Sequence, residues 1–500
     1  MDVSGIGGPA GISLRAVLDM RNRLDDLQRQ LGTGKKAATY AGLGLDRGLT
    51  VGLHAQLSAI ASFQATITLV AVRLDLMQTA LTQFSSVTQL GKSMILQSQF
   101  ALHGDVQTPD QKSARSLLDQ LINVLNTGAD GRYLFSGRSV DQAPVDTLDH
   151  ILDGDGLRAG LRQVMDERRQ ADLGASGLGR LVVGAPTATS VSLAEDAVSP
   201  FGFKLVGAAS NLTGTTVSGP SGSPPSMTVD LGASNPNDGE TIRFTFTLPD
   251  GTTRDLTLTA TSSATPGPGQ FSIGATSDIT AANLQTALTQ SLTELANTDL
   301  VAASAVAAGN DFFNTDAANP PQRVAGPPFD TATALVDGTD ADTVNWYLGD
   351  DGTDDPRSTA IARIDQSLNV SYGVRANEDA LARTMRSLAV FAVATFSDTD
   401  PYAEAQYSAL RERIGAALVG SPGEQKISDI EGALAGAQIA LKSAKDRHQQ
   451  TDTTLRDLLQ SVEGITTEEV AAKILALQTS LQATLQTTSM LLQTNLLQYL

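Results

Sequence analysis

The sequence predicts a mainly helical protein with an inserted α+β, sheet-rich centre. Near both ends of the 500-residue chain, apolar residues recur in alternating steps of three and four, which is typical of helices that pack side by side. Between these ends, residues 140–372 are rich in Thr, Ser, Gly, Asp and Pro, a composition typical of strands and turns. We therefore expect the two end segments to pair as an elongated antiparallel helical bundle.

Bulk composition excludes several classes of function. The chain has no Cys, which removes disulfides, thiolate metal sites and cysteine nucleophiles. Its formal net charge of -19 argues against a nucleic-acid partner, because no basic groove would neutralise phosphate. We identify no apolar run long enough to span a bilayer, and residues 1–11 lack the basic segment and apolar core of a cleaved secretory signal. We expect no membrane insertion, and any export would proceed without a cleaved signal.

Two helices are predicted first along the chain. One begins at Ile12 and ends before Gly32, where glycine interrupts the apolar pattern. The second runs from about Asp46 to His103, and its centre has eight apolar residues in unbroken alternating steps of three and four. That helix would be about 85 Å long at the usual rise per residue, which favours an axial element over the helix of a compact globule.

Two more long helices are predicted at the carboxyl end. The first covers residues 427–462, with an apolar stripe interrupted only at His448 and Thr451. Residues 463–465 break the pattern, and Thr466 with Glu469 three residues later forms a predicted capping box. Another capping box is predicted at Thr108, ahead of a further helix.

The central region carries a predicted hairpin. Residues 241–248 alternate with period two, and a turn at 249–251 leads into the second strand at 254–259. A helix with leucines from Leu284 to Leu295 follows, and residues 300–306 are predicted to return as a strand.

These patterns divide the chain into seven predicted segments. They are an amino-terminal assembly helix and loop (1–45), the amino-terminal half of a helical shaft (46–139), a β- and loop-rich segment (140–225), a small α+β outer domain (226–310), a loop and hairpin return segment (311–375), the carboxyl-terminal half of the shaft (376–464) and a carboxyl-terminal assembly helix (465–500).

The two long stripes lack partners nearby in sequence, so we expect them to pack against each other within one chain. The predicted intramolecular shaft consists of Ile60, Phe63, Ile67, Val70, Leu74, Met77, Leu81, Phe84, Ile427, Ile430, Leu434, Leu441, Leu455, Leu458 and Val462. The shorter terminal stripes have polar but weakly charged flanks, which suits burial among neighbouring subunits. The predicted intersubunit interface consists of Leu14, Leu18, Leu24, Leu27, Leu31, Val470, Ile474, Leu477, Leu481, Leu485, Leu492 and Leu496.

No catalytic residues, cofactor or metal site are predicted. Gly91-Lys92-Ser93 resembles the end of a phosphate-binding loop, but Ser86 replaces the required glycine and the segment lies within a helix. Two acidic loops could hold a cation, with an ordinary solvated turn as the favoured alternative. They are His150 with Asp146, Asp149, Asp153 and Asp155, and the group Asp350, Asp351, Asp354 and Asp355.

Several stretches resemble the bacterial flagellin superfamily. Residues 24–35 (LDDLQRQLGTGK) are similar to the end of the family's first helix and the loop after it. Residues 131–137 (GRYLFSG) and the terminus 496–500 look most like the junction-type members, which connect hook and filament. Segments 346–350 and 371–378 are also similar to those members, and the resemblance covers roughly residues 12–140 and 345–500.

The resemblance implies a structural, non-enzymatic subunit of the extracellular flagellum that leaves the cell by flagellar type III export. Its implied partners are further copies of itself, the hook, neighbouring junction-type subunits and flagellin, and an export chaperone is a further partner that it allows. A filament subunit is the alternative, although glycine-rich residues 37–48 depart from the filament pattern. A secreted adhesin or hydrolase, with its activity in residues 226–310, is a more distant alternative.

Overall fold

The computed structural model describes residues 9–316 and 318–497, and the side chains of residues 15–316 and 318–490. Contacts between Cα atoms divide the chain into two compact units. Unit 1 contains the residues up to 71, residues 362–370 and the residues from 439 onward. Unit 2 contains residues 72–361 and 371–438.

Long helices occur toward both ends of the described chain. They are α1 (Pro9–Thr33), α2 (Arg47–Gln97), α3 (Pro109–Leu125), α4 (Leu148–Asp153), α5 (Leu161–Leu173), α6 (Ser277–Leu295), α7 (Val301–Phe313), α8 (Asp379–Val393), α9 (Ala403–Val419), α10 (Ile427–Glu463) and α11 (Thr467–Leu497). The predicted first, second and last two helices correspond to α1, α2, α10 and α11, with ends shifted by a few residues.

Both predicted capping signals lie at helix starts. At α3, the Thr108 hydroxyl accepts a hydrogen bond from the Gln111 N–H, and the Gln111 side chain accepts one from the Thr108 N–H. At α11, Thr466 Oγ1 accepts the Glu469 N–H at 3.2 Å. The Glu469 carboxylate pairs instead with Lys473, 2.6 Å away. The first box is therefore confirmed, and the second contains only its hydroxyl half.

The central strands form two four-stranded sheets in unit 2, with small two-stranded sheets elsewhere. The strands are β1 (Gly128–Ala129), β2 (Arg132–Tyr133), β3 (Leu181–Val183), β4 (Ser190–Glu195), β5 (Lys204–Ser210), β6 (Thr216–Ser221), β7 (Ser226–Asp230), β8 (Thr241–Thr247), β9 (Thr253–Thr261), β10 (Gln270–Ser272), β11 (Gln322–Val324), β12 (Leu335–Asp337), β13 (Ile361–Arg363) and β14 (Asn369–Ser371). The sheet orders are β3-β4-β7-β6 and β10-β9-β8-β5.

One apolar core joins these two sheets to helix α6. It includes Leu193 from β4, Phe244 and Phe246 from β8, and Leu284 and Leu288 from α6, all buried. The alternating apolar residues of β8 face this core because successive strand side chains point to opposite faces. The predicted hairpin is confirmed by the antiparallel pairing of β8 with β9.

The structure corrects three expectations for the centre. Residues 300–306, predicted as a strand, are helical: Leu300 ends a π-helical turn and the rest begin helix α7, because their alanine-rich sequence favours a helix. The segment 140–225, predicted to be rich in strands and loops, also holds the helices α4 and α5. The predicted domain start at residue 226 falls inside one sheet, since β7 pairs with both β4 and β6.

One helical stretch within the described residues, Tyr40–Gln97, is long and apolar enough to cross a membrane by length and composition alone. The expectation that no such stretch exists is therefore wrong by that criterion. Ile67, Val70 and Leu74 of this helix are buried within the protein, but only 22% of its apolar window is buried.

Candidate assembly surface

The terminal helices α1 and α11 contact each other within unit 1. Both have an apolar stripe, as the sequence predicts. Charged residues are frequent along α1, whereas in α11 they are confined to its first two turns. Because α1 belongs to the start of the chain and α11 to its end, their contact brings the two terminal segments together. This pair is the place to look for the predicted intersubunit residues.

The predicted interface residues differ in exposure. Val470 is buried at 1% exposure, whereas Leu18, Leu31 and Leu485 are 51%, 42% and 49% exposed. Five others are partly buried, namely Leu24, Leu27, Ile474, Leu477 and Leu481. The side chains of Leu14, Leu492 and Leu496 lie outside the described residues. The described part of the helix pair therefore leaves large apolar side chains in contact with solvent.

The predicted stripe did not include Leu475, which is 64% exposed on α11. Its neighbour Ile474 is partly buried and was predicted. The sequence of α11 has apolar residues outside the predicted stripe, and these could have predicted a wider apolar surface on the helix.

Two loops hold the base of the helix pair together. Lys36 donates its backbone N–H to Glu463 O at 2.8 Å, and Ile465 donates to Gly34 O at 3.0 Å. The Lys36 ammonium also donates to Ser461 O and Val462 O, at 3.2 and 3.0 Å. The loop after α1 is thus hydrogen-bonded to the break between α10 and α11.

Glycine is required at both sides of this contact. Gly34 has φ +65°, a backbone conformation that residues other than glycine adopt only at a cost in free energy. At Gly464, a Cβ atom would collide with the carbonyl oxygen of Gln460. The helix break predicted at residues 463–465 separates α10 from α11, and Gly464 there lies too close to Gln460 O to carry a side chain.

Among the predicted shaft residues in unit 1, Phe63 contacts His448. The His448 ring stacks on Phe63, with centroids 5.5 Å apart, and its Nε2 lies 2.8 Å from Ile364 O. Ile60, Ile67, Val70 and Leu441 are buried, Leu455 and Val462 are partly buried, and Leu458 is 43% exposed. His448 is thus a core residue with an aromatic and a polar partner.

The remaining shaft residues lie in unit 2. Leu74, Met77, Leu81, Phe84, Ile430 and Leu434 are buried, and Ile427 is partly buried. Gln438 on α10 donates its amide to Asp75 Oδ1 on α2 at 2.8 Å. In this unit, a side-chain hydrogen bond therefore joins α2 to α10.

The GRYLFSG stretch meets the other segments that carried the resemblance. Phe135 O accepts the Ala376 N–H at 2.8 Å, and Ser136 O accepts the Asp350 N–H at 2.9 Å. Gly137 has φ +62°, and a Cβ there would approach the Asp350 side chain to 2.8 Å. Residues separated by more than 200 positions therefore form one tightly packed corner.

The candidate cation loops have protein partners instead. Asp350 and Asp354 pair with Arg138, and Asp355 accepts the Arg357 N–H. In the other loop, Arg115 contacts Asp149 and Asp153, and His150 lies 3.1 Å from Asp146. Among the residues that the structure describes, no group of three or more His, Asp or Glu side chains could hold a metal ion.

Contacting terminal helices with exposed apolar side chains are typical of structural proteins that associate with neighbours. Residues 10–139 match the family model described as the bacterial flagellin N-terminal helical region, which spans α1, α2, α3 and the GRYLFSG stretch. This match supports the bacterial flagellin superfamily, and with it a structural subunit of the flagellum. No curated protein matches the chain. A structural family fits the expectation of a non-enzymatic protein.

Proposed function

We propose that this protein is an extracellular axial subunit of the bacterial flagellum that assembles through its terminal helix pair. The family match over residues 10–139 supports the flagellar role. The observation that carries the assembly mechanism is the exposure of Leu18, Leu475 and Leu485 on two contacting helices. Exposed apolar side chains on this helix pair are stabilised when another molecule covers them and removes them from water.

Burial of these side chains would drive association. Full burial of a leucine contributes roughly 1.5–3 kcal/mol, and the half-exposed residues here would gain a part of that. Contributions from several leucines, repeated at each subunit contact, would offset the entropy lost on assembly. The helix pair would then become fully ordered when neighbouring subunits supply the missing contacts.

In this account the inner stretches of α2 and α10 form the intramolecular shaft. The buried residues Ile67 and Leu441 in unit 1, and Leu81 and Leu434 in unit 2, support that role. The sheet-bearing region around residues 181–313 would be the outer part of the subunit. We propose self-association together with hook and flagellin subunits as partners, and export by the flagellar type III pathway with an export chaperone.

Within the superfamily we propose the hook–filament junction protein. The packed corner formed by residues 135–137, 350 and 374–376 supports this choice, because the junction-like stretches converge there. The filament flagellin is the second candidate, favoured by the same match over residues 10–139. A secreted adhesin or hydrolase is the distant alternative, with support only from the solvent-facing central region.

Electron microscopy of a strain lacking this chain separates the candidates. A junction protein predicts bare hooks with free filament in the medium, since flagellin is still made. A filament flagellin predicts bare hooks and no polymer in the medium. Wild-type filaments on the deletion strain would exclude both flagellar assignments.

Removal of residues 470–500 tests the assembly mechanism. We expect the truncated chain to stay soluble and folded, because the core of unit 2 lies outside this segment. It should fail to assemble and fail to restore filament attachment. Restoration of attachment by the truncated chain would contradict the mechanism.

A further inference from the structure

A polar cleft in unit 2 belongs to none of the surfaces above. It is bounded by the turn between β8 and β9, helix α7, and helices α8 and α9. Four arginines line it, namely Arg254, Arg383, Arg386 and Arg413. Four carboxylates line the same cleft, namely Asp250, Asp299, Glu412 and Glu424.

Three of the arginines are neutralised by carboxylates. Arg413 contacts Asp250 at 3.0 Å and Asp299 at 3.2 Å, and Arg254 contacts the same Asp299 at 3.3 Å. Arg383 pairs with Glu424. These ion pairs line the cleft.

A π-helical turn positions Asp299 in this cleft. Ala296–Leu300 forms that turn between α6 and α7. Turns of this kind are rare and occur frequently at functional sites. The turn places Asp299 where it contacts both Arg254 and Arg413.

Arg386 differs from the other three arginines. Its Nη1 donates to Asn314 Oδ1 at 2.7 Å, and among the described residues no carboxylate forms an ion pair with it. Its stem packs on α7, where a Cβ at Gly309 would lie 3.3 Å from Arg386 Cγ. Burial lowers the pKa of Arg386 against the opposing effect of Asp379, and Arg383 adds to the fall while Glu424 opposes it.

We propose that the cleft binds a small oxyanion, a carboxylate or a phosphate, through Arg386. The guanidinium presents a planar set of donors that matches the two oxygens of such a group. An oxyanion would form the direct ion pair with Arg386 that no carboxylate among the described residues forms. The amide of Asn314 holds the guanidinium by one nitrogen and leaves its other donors for the ligand.

The test measures binding of inorganic phosphate and, separately, acetate to the full-length protein by isothermal titration calorimetry at constant ionic strength. The wild type should bind at least one of them saturably. Arg386→Gln should weaken that binding at least about tenfold. Arg243→Gln is the matched control, because it removes an equal charge from an exposed arginine of β8, 60% exposed and 3.7 Å from Asp255.

Each outcome decides the proposal. Saturable binding that is lost in Arg386→Gln and kept in Arg243→Gln supports it, and the tighter of the two probes identifies the ligand chemistry. Absence of binding of both probes up to about 10 mM, or equal weakening by both variants, overturns it. If Arg386→Gln does not fold, Arg386→Lys replaces it. Lysine keeps the positive charge and removes the planar donors. Unaltered binding to Arg386→Lys would therefore also overturn the proposal.

Discussion

His54 lies 3.0 Å from Glu463, measured from Nε2 to Oε1, although 409 positions separate them in the chain. The other carboxylate oxygen lies 3.4 Å from the ammonium of Lys35. Glu463 ends helix α10, and its side chain is only 12% exposed. One carboxylate therefore joins α2, the loop after α1 and the end of α10 at the base of the terminal helix pair.

Glu463→Ala should loosen this base. A partly buried carboxylate that contacts the exposed ammonium of Lys35 and the imidazole of His54 contributes about 1 kcal/mol. The backbone amides of Lys36 and Ile465, which are hydrogen-bonded across the contact, should exchange roughly fivefold faster in the variant. Hydrogen exchange measured residue by residue checks this. Asp452→Ala is the control, since it removes a carboxylate of α10 that pairs with Arg456 and should leave both amides unchanged.

Gly464→Ala should destabilise the contact between the loops. The added methyl collides with Gln460 O, and relief of this clash requires a backbone shift that costs about 1–3 kcal/mol. Gly432→Ala is the matched control within α10, because nothing lies within 4 Å of its Cβ position. That variant should gain up to about 1 kcal/mol from the higher helix propensity of alanine. The midpoint of thermal unfolding should fall in Gly464→Ala and rise in Gly432→Ala. A shift of both midpoints in the same direction would contradict the geometry.

Gly137→Ala should disrupt the packed corner of the GRYLFSG stretch. Both Gly137 and Gly131 have positive φ, so either substitution strains the backbone by about 1 kcal/mol. Only at Gly137 does the new methyl also meet a side chain, that of Asp350. Denaturant unfolding should therefore find Gly137→Ala less stable than Gly131→Ala. Equal losses would mean that the corner adapts without cost.

The buried ion cluster of unit 2 predicts a pH dependence of stability. Arg168 contacts Asp172 at 3.0 Å and also pairs with Asp311, so two carboxylates share one guanidinium. Burial raises the pKa of Asp311, and the nearby carboxylate of Asp172 adds to this rise against the opposing effect of Arg168. A raised pKa in the folded state means that the stability contributed by protonated Asp311 is present at low pH and is lost as pH rises through that pKa.

Asp311→Asn tests this sign. The amide cannot ionise, so the variant should lose less stability than the wild type between about pH 4 and pH 7. Urea unfolding at several pH values measures the difference. Asp255→Asn, at an exposed carboxylate, should keep the wild-type slope. A wild-type slope in Asp311→Asn would contradict the assignment.

Long periodic stretches of the sequence predicted the helices well. The unbroken apolar spacing from Ile60 to Phe84 and the Thr108 capping signal correspond to α2 and α3, because local periodicity and capping are written in consecutive residues. Helix α5 was missed, since the prediction rested on the average composition of a long segment. The alanine-rich start of α7 was predicted as a strand, because it has too few polar residues to show a helical period.

The candidate site was only partly predictable. The apolar stripes of α1 and α11 could be read from spacing, but not which leucines face solvent, because that depends on the helix that each one contacts. The contact of Glu463 with His54 and Lys35 joins residues far apart in sequence, and no local pattern indicates it. Arg386 was likewise invisible, since an arginine without an acid partner is recognised only in three dimensions.

The central claim is that exposed leucines of the terminal helices form the assembly surface, and Leu485→Asp tests it most directly. The control is Leu157→Asp, which places the same charge at a leucine of unit 2 that is 89% exposed. Each variant is expressed in a strain lacking the wild-type chain, its export is confirmed, and attached filaments are counted by electron microscopy. We predict wild-type numbers for Leu157→Asp and few or none for Leu485→Asp. Wild-type numbers of attached filaments with exported Leu485→Asp would contradict the claim.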